Sequence, residues 1–387
     1  MWLAFFKGGW QVFSRLLMAT LCFMLSTSGW SNEDGQFQVK GDAAILGDLD
    51  SGVILFQQNA EMRHHPASLT KVMTLYLAYE ALANGQMNLE EQLPVSERAW
   101  RQGGSKTFVK VGDKVRVEDL IYGIAVQSGN DACVVIGEHL AGSEEGFADL
   151  MNKKAKALGM NATHFVNASG LPDDNHYTTA KDLFLLASAI VRDFPQYHHY
   201  SQEKQYTFNG IRQYNRNRLL WRDPSITGLK TGHTQAAGYC MIATNEVEGQ
   251  RLGAVILGAA SSKIREEEAL RLLRYGNRNF ETVRFYETGK VVRKLRVWKG
   301  ETTHVDGVAQ RTLAVTVPRK DRYRLEVGLI YKDPLLAPLA KGDEIGTLVV
   351  KMGDAEIVKR PLVAAHEVKE AGFFGSLTDS VRLKLGW

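Results

Sequence analysis

The sequence predicts an α/β fold in which one antiparallel sheet is covered by helices and followed by a small all-β domain. Residues 38–57 alternate apolar and polar side chains, which indicates a β-hairpin near the start of the chain. Helical spacing then dominates as far as residue 192, and β-like runs return from residue 205. From about residue 285 short β-type runs recur with no long helix between them, which is typical of a small sandwich or barrel.

The elements follow from local patterns in chain order. The hairpin pairs residues 43–46 with 53–56 around a turn that contains Gly52. Helices are predicted at residues 68–84, 117–126, 131–140, 144–159, 178–192 and 265–275. Strands of the first domain are predicted at residues 205–210, 229–231, 238–243 and 252–257. Strands of the second domain are predicted at residues 291–297, 313–317, 324–330, 347–351 and 356–363.

The two ends of the chain differ from its middle. Lys7 and Arg15 precede an apolar run from residue 16 to about 25, and small residues follow up to Ser31. This order is that of a cleaved secretory signal, with cleavage after Gly29 or Ser31. An uncleaved anchor that uses the apolar residues 2–6 is the alternative. We therefore divide the chain into a signal peptide (1–31), a first domain (32–284), an all-β domain (285–366) and a tail (367–387).

The tail has the pattern of an amphipathic helix. Phe374, Leu377, Val381 and Leu385 fall on one helical stripe, and the charged residues lie elsewhere. A terminal helix of this kind can lie in a membrane interface. The alternative is a helix that packs on its own protein.

Composition excludes several function classes. The chain has 387 residues, 44% of them hydrophobic, and a net charge of +4 without any basic run, so no nucleic-acid partner is expected. Cys133 and Cys240 each lie in an apolar run and are expected to be buried free thiols; a disulfide between them is the alternative in an exported protein. The paired histidines at 64–65 and 198–199 lack further ligands at metal-binding spacing, so neither a metal nor another cofactor is predicted.

A serine and a lysine stand three residues apart at the start of the first long helix. Ser68 and Lys71 would share one helix face, which brings the amine beside the hydroxyl. A hydroxyl becomes a good nucleophile when a base lies next to it. A lysine can be that base only when it is neutral, which burial or nearby positive charge promotes.

Two further motifs follow in a fixed order. Ser128-Gly129-Asn130 lies between two predicted helices, and Lys230-Thr231-Gly232 lies on a predicted strand. The ordered set S-x-x-K, S-x-N and K-T-G resembles that of the penicillin-recognising serine acyltransferases.

The residues around the three motifs resemble those of one particular family of these acyltransferases. The runs at residues 66–74, 127–133, 209–217 and 230–234 are similar to those of the low-molecular-mass D-alanyl-D-alanine carboxypeptidases, and the similarity covers most of residues 40–285. The resemblance implies a penicillin-binding/β-lactamase-like first domain. It also implies an exported enzyme, peripheral on the periplasmic side of the bacterial inner membrane, that acts on peptidoglycan stem peptides and is acylated by β-lactam antibiotics. The tail would then contact the inner-membrane surface.

The resemblance also assigns catalytic roles. Ser68 would attack the penultimate D-alanine carbonyl and form an acyl-enzyme, with Lys71 as the base. Ser128 and Lys230 would form a second hydroxyl–amine pair that passes a proton to the leaving amine and keeps Lys71 neutral. Asn130 would bind the substrate backbone.

Substrate-binding roles come from the same resemblance. The strand edge from Lys230 through Gly232 to His233 would pair with the extended peptide, and the backbone N–H groups of Ser68 and His233 would form the oxyanion hole. Thr231 and an arginine would bind the terminal carboxylate. Arg265 is the first choice for that arginine, Arg216 is the second, and His233 would modulate substrate binding or deacylation.

Other functions remain possible from the sequence. A class A β-lactamase needs a glutamate followed four residues later by asparagine between the second and third motifs, and Glu138, Glu144, Glu145 and Glu203 all lack that asparagine. An endopeptidase that cleaves peptidoglycan cross-links would use the same chemistry. An inactive binding module is disfavoured because the motif serines and lysines are all present.

Overall fold

The computed structural model describes residues 37–385, without the side chains of residues 373 and 374. The predicted signal peptide lies outside the described residues. The described chain divides into two compact units, the first ending at Asn279 and the second beginning at Phe280.

A five-stranded antiparallel sheet forms the centre of the first unit. Its strand order is β2-β1-β9-β8-β7, so strands from both ends of the unit lie side by side. The strands of this unit are β1 (Ala43–Asp48), β2 (Ile54–Gln58), β3 (Gln92–Pro94), β4 (Lys114–Arg116), β5 (Gln205–Phe208), β6 (Ile211–Tyr214), β7 (Ile226–Thr234), β8 (Gly238–Val247) and β9 (Gln250–Ala259). The predicted hairpin is confirmed, with Leu46 opposite Phe56, and β7 is an edge strand of the sheet.

Eight helices accompany this sheet among the described residues of the first unit. They are α1 (Lys71–Ala83), α2 (Glu97–Arg101), α3 (Val117–Tyr122), α4 (Asn130–Ala141), α5 (Glu144–Ala157), α6 (Ala180–Asp193), α7 (Leu219–Arg222) and α8 (Ser262–Asn279). Helix α1 is buried on nearly all sides, because most of its side chains are apolar and belong to the core of the unit. The predicted helix over 117–126 is shorter, since a π-helical turn at Gly123–Gln127 follows α3.

The second unit is built from strands, as predicted. Its strands are β10 (Phe280–Tyr286), β11 (Val291–Trp298), β12 (His304–Ala309), β13 (Leu313–Pro318), β14 (Leu325–Tyr331), β15 (Leu335–Leu336), β16 (Glu344–Met352) and β17 (Ala355–Ala364). A six-stranded sheet has the order β14-β16-β17-β12-β11-β15, and β10 pairs with β13. Leu295, Val305, Ile345 and Leu362 belong to its separate apolar core.

Helix α9 (Phe373–Leu385) follows the last strand. The Asp379 carboxylate accepts the backbone N–H of Lys299 at 2.7 Å, which fixes the helix to its own unit. Leu377, Val381 and Leu385 are each at least half exposed. Between residues 37 and 385 there is no helix both long enough and apolar enough to span a bilayer.

Candidate active site

Ser68 and Lys71 lie together at the start of α1. Ser68 belongs to a 3-10 turn at Ala67–Thr70, and α1 itself begins at Lys71, whereas the sequence predicts Ser68 on the α-helix. Residues three apart eclipse one another in a 3-10 turn, so the predicted contact is retained. Lys71 Nζ is 2.9 Å from Ser68 Oγ and 2.6 Å from the Ser169 carbonyl oxygen.

Burial makes the Lys71 ammonium group a stronger acid than that of an exposed lysine. The side chain has no exposed surface, and this burial lowers the lysine pKa to about 8. From the sequence, burial and nearby positive charge were both possible causes, and the family resemblance pointed to the charge of the second serine–lysine pair. The largest cause is desolvation, because an ammonium group loses its hydration when it is enclosed in protein.

The turn that carries Ser68 packs against the loop that contains Ser169. Ala67 has a φ of 47°, in the left-handed region that alanine seldom occupies. Gly170 packs so tightly against it that an added Cβ would lie 1.8 Å from the Ala67 carbonyl oxygen. Close packing therefore keeps the nucleophile turn in its strained conformation.

Ser128 follows the π-helical turn and also has left-handed backbone angles, with a φ of 68°. Its side chain is buried, and its Oγ has no hydrogen-bond partner among the described residues. Asn130 begins α4, and its amide Nδ2 donates to the Gly103 carbonyl at 2.6 Å. Both side chains are polar groups placed beside the nucleophile's helix by the α3–α4 connection.

Asp131 is a residue that the sequence reasoning missed. Its carboxylate accepts the backbone N–H groups of Thr107 and Phe108 at 2.8 and 2.9 Å. These bonds fix the loop that contains Gly103, the partner of Asn130. The sequence offered one sign of this role, an acidic residue in the first turn of a predicted helix. The partners of Asp131 in a distant loop could not be inferred from the sequence.

Lys230 is buried on β7, near the first pair. Burial lowers its pKa well below the usual value, and the charge of Lys71 lowers it further. Its Nζ donates to the Thr231 carbonyl at 3.0 Å. Ser128 and Lys230, expected to act as a pair, form no hydrogen bond with each other, since Ser128 Oγ has no partner within residues 37–385.

Gly232 is the point at which β7 meets the nucleophile turn. A Cβ at this position would lie 3.1 Å from the Ser68 backbone nitrogen and 3.2 Å from the Pro66 carbonyl oxygen. A side chain here would occupy the space next to the Ser68 N–H. His233 is exposed, and its ring lies 4.1 Å from that of Tyr239, centroid to centroid.

The two arginines predicted for carboxylate binding differ in environment. Arg265 is buried, and its guanidinium donates to Ser262 Oγ at 2.9 Å and lies 3.4 Å from the Glu266 carboxylate. Its Nε has no hydrogen-bond partner in the described part of the chain. Arg216 is exposed. The charges of both arginines lower the pKa of Lys230, after the larger effects of burial and Lys71.

One open cleft brings most of the predicted residues together. It encloses about 680 Å³. The predicted residues on its wall are Ser68, Ser128, Arg216, Thr231, Gly232, His233 and Arg265. Lys71, Asn130 and Lys230 are buried, where they can act on the serines without meeting bulk water.

The cysteines are free and buried, as expected. The Cys133 thiol donates to the Gly129 carbonyl at 3.2 Å, and burial raises its pKa to about 12. A thiol with such a pKa is a poor nucleophile at neutral pH. Within residues 37–385, no group of three or more His, Cys, Asp or Glu side chains is placed to hold a metal ion.

Two family models match the chain. One, described as D-alanyl-D-alanine carboxypeptidase, covers residues 30–261. The other, described as the C-terminal domain of penicillin-binding protein 5, covers residues 280–370. The first contains all three motifs up to Lys230-Thr231-Gly232.

Individual proteins match over most of the chain. D-alanyl-D-alanine carboxypeptidase DacC of Escherichia coli is 40% identical over 354 residues, which are 89% of this chain and 88% of that protein. Penicillin-binding protein 5 from Haemophilus influenzae superimposes with a TM-score of 0.75 at 36% identity, covering 86% of this chain and 99% of its own. Penicillin-binding protein D2 from Listeria monocytogenes, solved in an ampicillin-bound form, has a TM-score of 0.58 at 32% identity, with 62% and 99% covered.

Proposed function

The chain belongs to the D-alanyl-D-alanine carboxypeptidases, a family of serine hydrolases, and we propose that it removes the terminal D-alanine from peptidoglycan stem peptides through an acyl-enzyme on Ser68. One observation carries the proposal: the buried Lys71 amine lies 2.9 Å from Ser68 Oγ. With the lysine pKa lowered to about 8, a useful fraction of the amine is neutral near pH 7.

Acylation begins with proton transfer from Ser68 to the neutral Lys71 amine. The Oγ forms a bond to the carbonyl carbon of the penultimate D-alanine, and the carbonyl oxygen becomes an oxyanion. The backbone N–H groups of Ser68 and His233 are proposed to stabilise that oxyanion; one such donor typically contributes about 3 kcal/mol in the transition state. The open backbone at Gly232 leaves room for the oxyanion there.

Collapse of this intermediate breaks the C–N bond. The departing amine of D-alanine needs a proton, and Ser128 is proposed to relay it from Lys71, because its hydroxyl has no hydrogen-bond partner among the described residues. Burial favours this transfer away from Lys71, since desolvation of the ammonium form lowers the pKa of Lys71 to about 8. Water then attacks the ester carbonyl, Ser68 Oγ leaves with a proton, and the shortened peptide is released.

Binding of the peptide uses the edge of the sheet. Because β7 lies at an edge, its backbone can pair with an extended peptide. Asn130 is proposed to bind the substrate backbone after exchanging its bond to Gly103. Arg265, with Thr231, is proposed to bind the terminal carboxylate, because its guanidinium lines the cleft and its Nε is unpaired within residues 37–385.

The test of the nucleophile is intact-mass analysis with penicillin, and the ampicillin-bound form of the Listeria protein supports its choice as a probe. We expect one covalent adduct per chain, and none in Ser68→Ala. A full adduct on Ser68→Ala would show that Ser68 is not the nucleophile.

The substrate is tested with a pentapeptide stem and a cross-linked dimer. We expect one free D-alanine per pentapeptide and little cleavage of the dimer. The endopeptidase alternative is not favoured, because the matched relative is a D-alanyl-D-alanine carboxypeptidase. Cleavage of the dimer without release of free D-alanine would reverse that preference.

We propose that the protein is exported and that α9 attaches it peripherally to the inner membrane. The support is the signal-like order of residues 1–31 and the exposed Leu377, Val381 and Leu385 on one helix. Deletion of residues 367–387 is expected to move the protein from the membrane fraction to the periplasm. Unchanged membrane retention would instead assign attachment to the N-terminal segment.

A further inference from the structure

The wall of the cleft carries more positive charge than one terminal carboxylate requires. Four arginines line it, and no aspartate or glutamate lines it in the described part of the chain. Three of them lie on one short segment at residues 212, 216 and 218. A single guanidinium can bind a carboxylate with two hydrogen bonds, so Arg265 alone can hold the substrate's C-terminus.

The three arginines belong to a segment with alternating exposure. Arg212, Tyr214, Arg216 and Arg218 are exposed, whereas Gln213, Asn215 and Asn217 between them are buried. Alternation of this kind is expected where a chain runs extended along the rim of a core.

The buried amides hold the segment in place. Gln213 donates to the Thr107 carbonyl at 3.1 Å, Asn215 to the Glu203 carbonyl at 2.8 Å and Asn217 to the Gly228 carbonyl at 3.0 Å. These bonds tie the segment to three separate parts of the first unit. The exposed side chains therefore project from a fixed backbone, which lowers the entropy lost on binding.

The guanidinium groups of this segment are available to a ligand. Among residues 37–385, no side chain forms an ion pair or hydrogen bond with the guanidinium of Arg212, Arg216 or Arg218. Ile211 and Tyr214 beside them are 41% and 55% exposed and also line the cleft. The surface thus combines unpaired cations with apolar contacts.

We propose that Arg212 and Arg218 form a subsite for a carboxylate on the part of the substrate that precedes the D-Ala-D-Ala terminus. The inference rests on the proposed carboxypeptidase function and specifies its substrate as an anionic stem peptide. Tyr214 and Ile211 contact the aliphatic part of the side chain that bears this carboxylate. The enzyme accordingly prefers anionic stems over neutral ones and neutral stems over cationic ones.

The test uses three peptides of the form N-acetyl-L-Lys-D-Ala-D-Ala that differ only at the lysine Nε. An acetyl cap is neutral, a succinyl cap ends in a carboxylate, and a glycyl cap ends in an ammonium group. We expect kcat/KM for D-alanine release to fall in the order succinyl, acetyl, glycyl. Added salt should reduce the difference, because exposed charge pairs are screened.

Substitutions test whether the arginines of residues 212–218 cause the preference for an anionic stem. Arg212→Gln and Arg218→Gln should each lower the succinyl-to-acetyl ratio of kcat/KM by up to about fivefold, the upper end of the range for an exposed ion pair. Lys204→Gln is the matched control, since Lys204 is an exposed cation before β5 that does not line the cleft. It should leave the ratio unchanged, and stoichiometric acylation by penicillin shows that each variant retains its site.

Equal kcat/KM for the three peptides, or an unchanged ratio in Arg212→Gln and Arg218→Gln, overturns the subsite and leaves the proposed function intact. Failure to release D-alanine from any of the three peptides refutes the proposed function, and the subsite with it.

Discussion

Lys71 Nζ lies 2.6 Å from the carbonyl oxygen of Ser169, a residue 98 positions later in the chain. This contact orients the amine, because an N–H donated to Ser169 leaves the nitrogen lone pair free for the Ser68 hydroxyl proton. The motif serine and lysine thus depend on a loop that carries none of the three motifs.

The lowered pKa of Lys71 predicts the pH dependence of acylation. The amine accepts a proton only when neutral, so the rate should rise with pH up to about 8 and level off above it. At pH 7 the rate should be about a tenth of the plateau. The measurement is the second-order rate constant for penicillin acylation from pH 6 to 9.5, corrected for spontaneous hydrolysis. Lys71→Gln should lower this rate constant about 100-fold or more. A flat profile across this pH range would exclude Lys71 as the base.

Gly170 is predicted to be essential to the nucleophile turn. It has a φ of +83°, and an added Cβ would collide with the Ala67 carbonyl oxygen. Gly159 has the same φ, but no atom of the described residues lies within 4 Å of its Cβ position. Gly159→Ala should therefore cost only about 1–2 kcal/mol of unfolding free energy, the strain of a left-handed alanine.

Gly170→Ala should cost roughly 3 kcal/mol or more and should slow acylation, because the turn must move. Urea denaturation and penicillin acylation of the two variants provide the comparison. Equal destabilisation by the two substitutions would mean that the contact with Ala67 is unimportant.

His176 is predicted to make the first unit sensitive to acid. It is buried, its Nδ1 accepts the Val166 N–H at 3.3 Å, and its Nε2 donates to Thr70 Oγ1 at 2.8 Å. Burial lowers the histidine pKa from 6.5 to about 4. Between these values the unfolded chain binds a proton that the folded chain does not, so stability is lost as pH falls through this window.

The loss should reach roughly 3 kcal/mol by pH 4. Thermal denaturation from pH 7 to 4 should show a smaller loss in His176→Gln, which is less stable at pH 7 but cannot take up this proton. His199→Gln, at an exposed histidine, is the control. If His176→Gln and the unsubstituted protein lose stability equally, His176 is not responsible.

Gly232→Ala is predicted to slow acylation by about tenfold. Its Cβ would press on the Ser68 nitrogen and the Pro66 carbonyl, and small displacements of reacting groups are costly. Gly328 is in the second unit, and no neighbour in the described part of the chain lies within 4 Å of its Cβ position, so Gly328→Ala should leave acylation unchanged. Wild-type acylation rates in Gly232→Ala would show that the turn tolerates a side chain there.

Local sequence patterns were sufficient to predict the architecture and the family of this protein. The alternation in residues 38–57 specified the hairpin, and the recurring short runs after residue 285 specified the all-β domain, because periods of 2 and 3.6 record which face is buried. The three ordered motifs indicated a serine hydrolase, which the match over residues 30–261 confirms.

The tertiary structure determines the contacts on which the three motifs depend. The contacts of Lys71 with Ser169, of Asp131 with the loop at Thr107, and of Gly170 with Ala67 join segments far apart in the chain. The sequence itself determined that a serine and a lysine lie side by side, because three residues fix that distance locally. Whether the lysine is neutral depends on complete burial, and burial is a property of the whole packed domain.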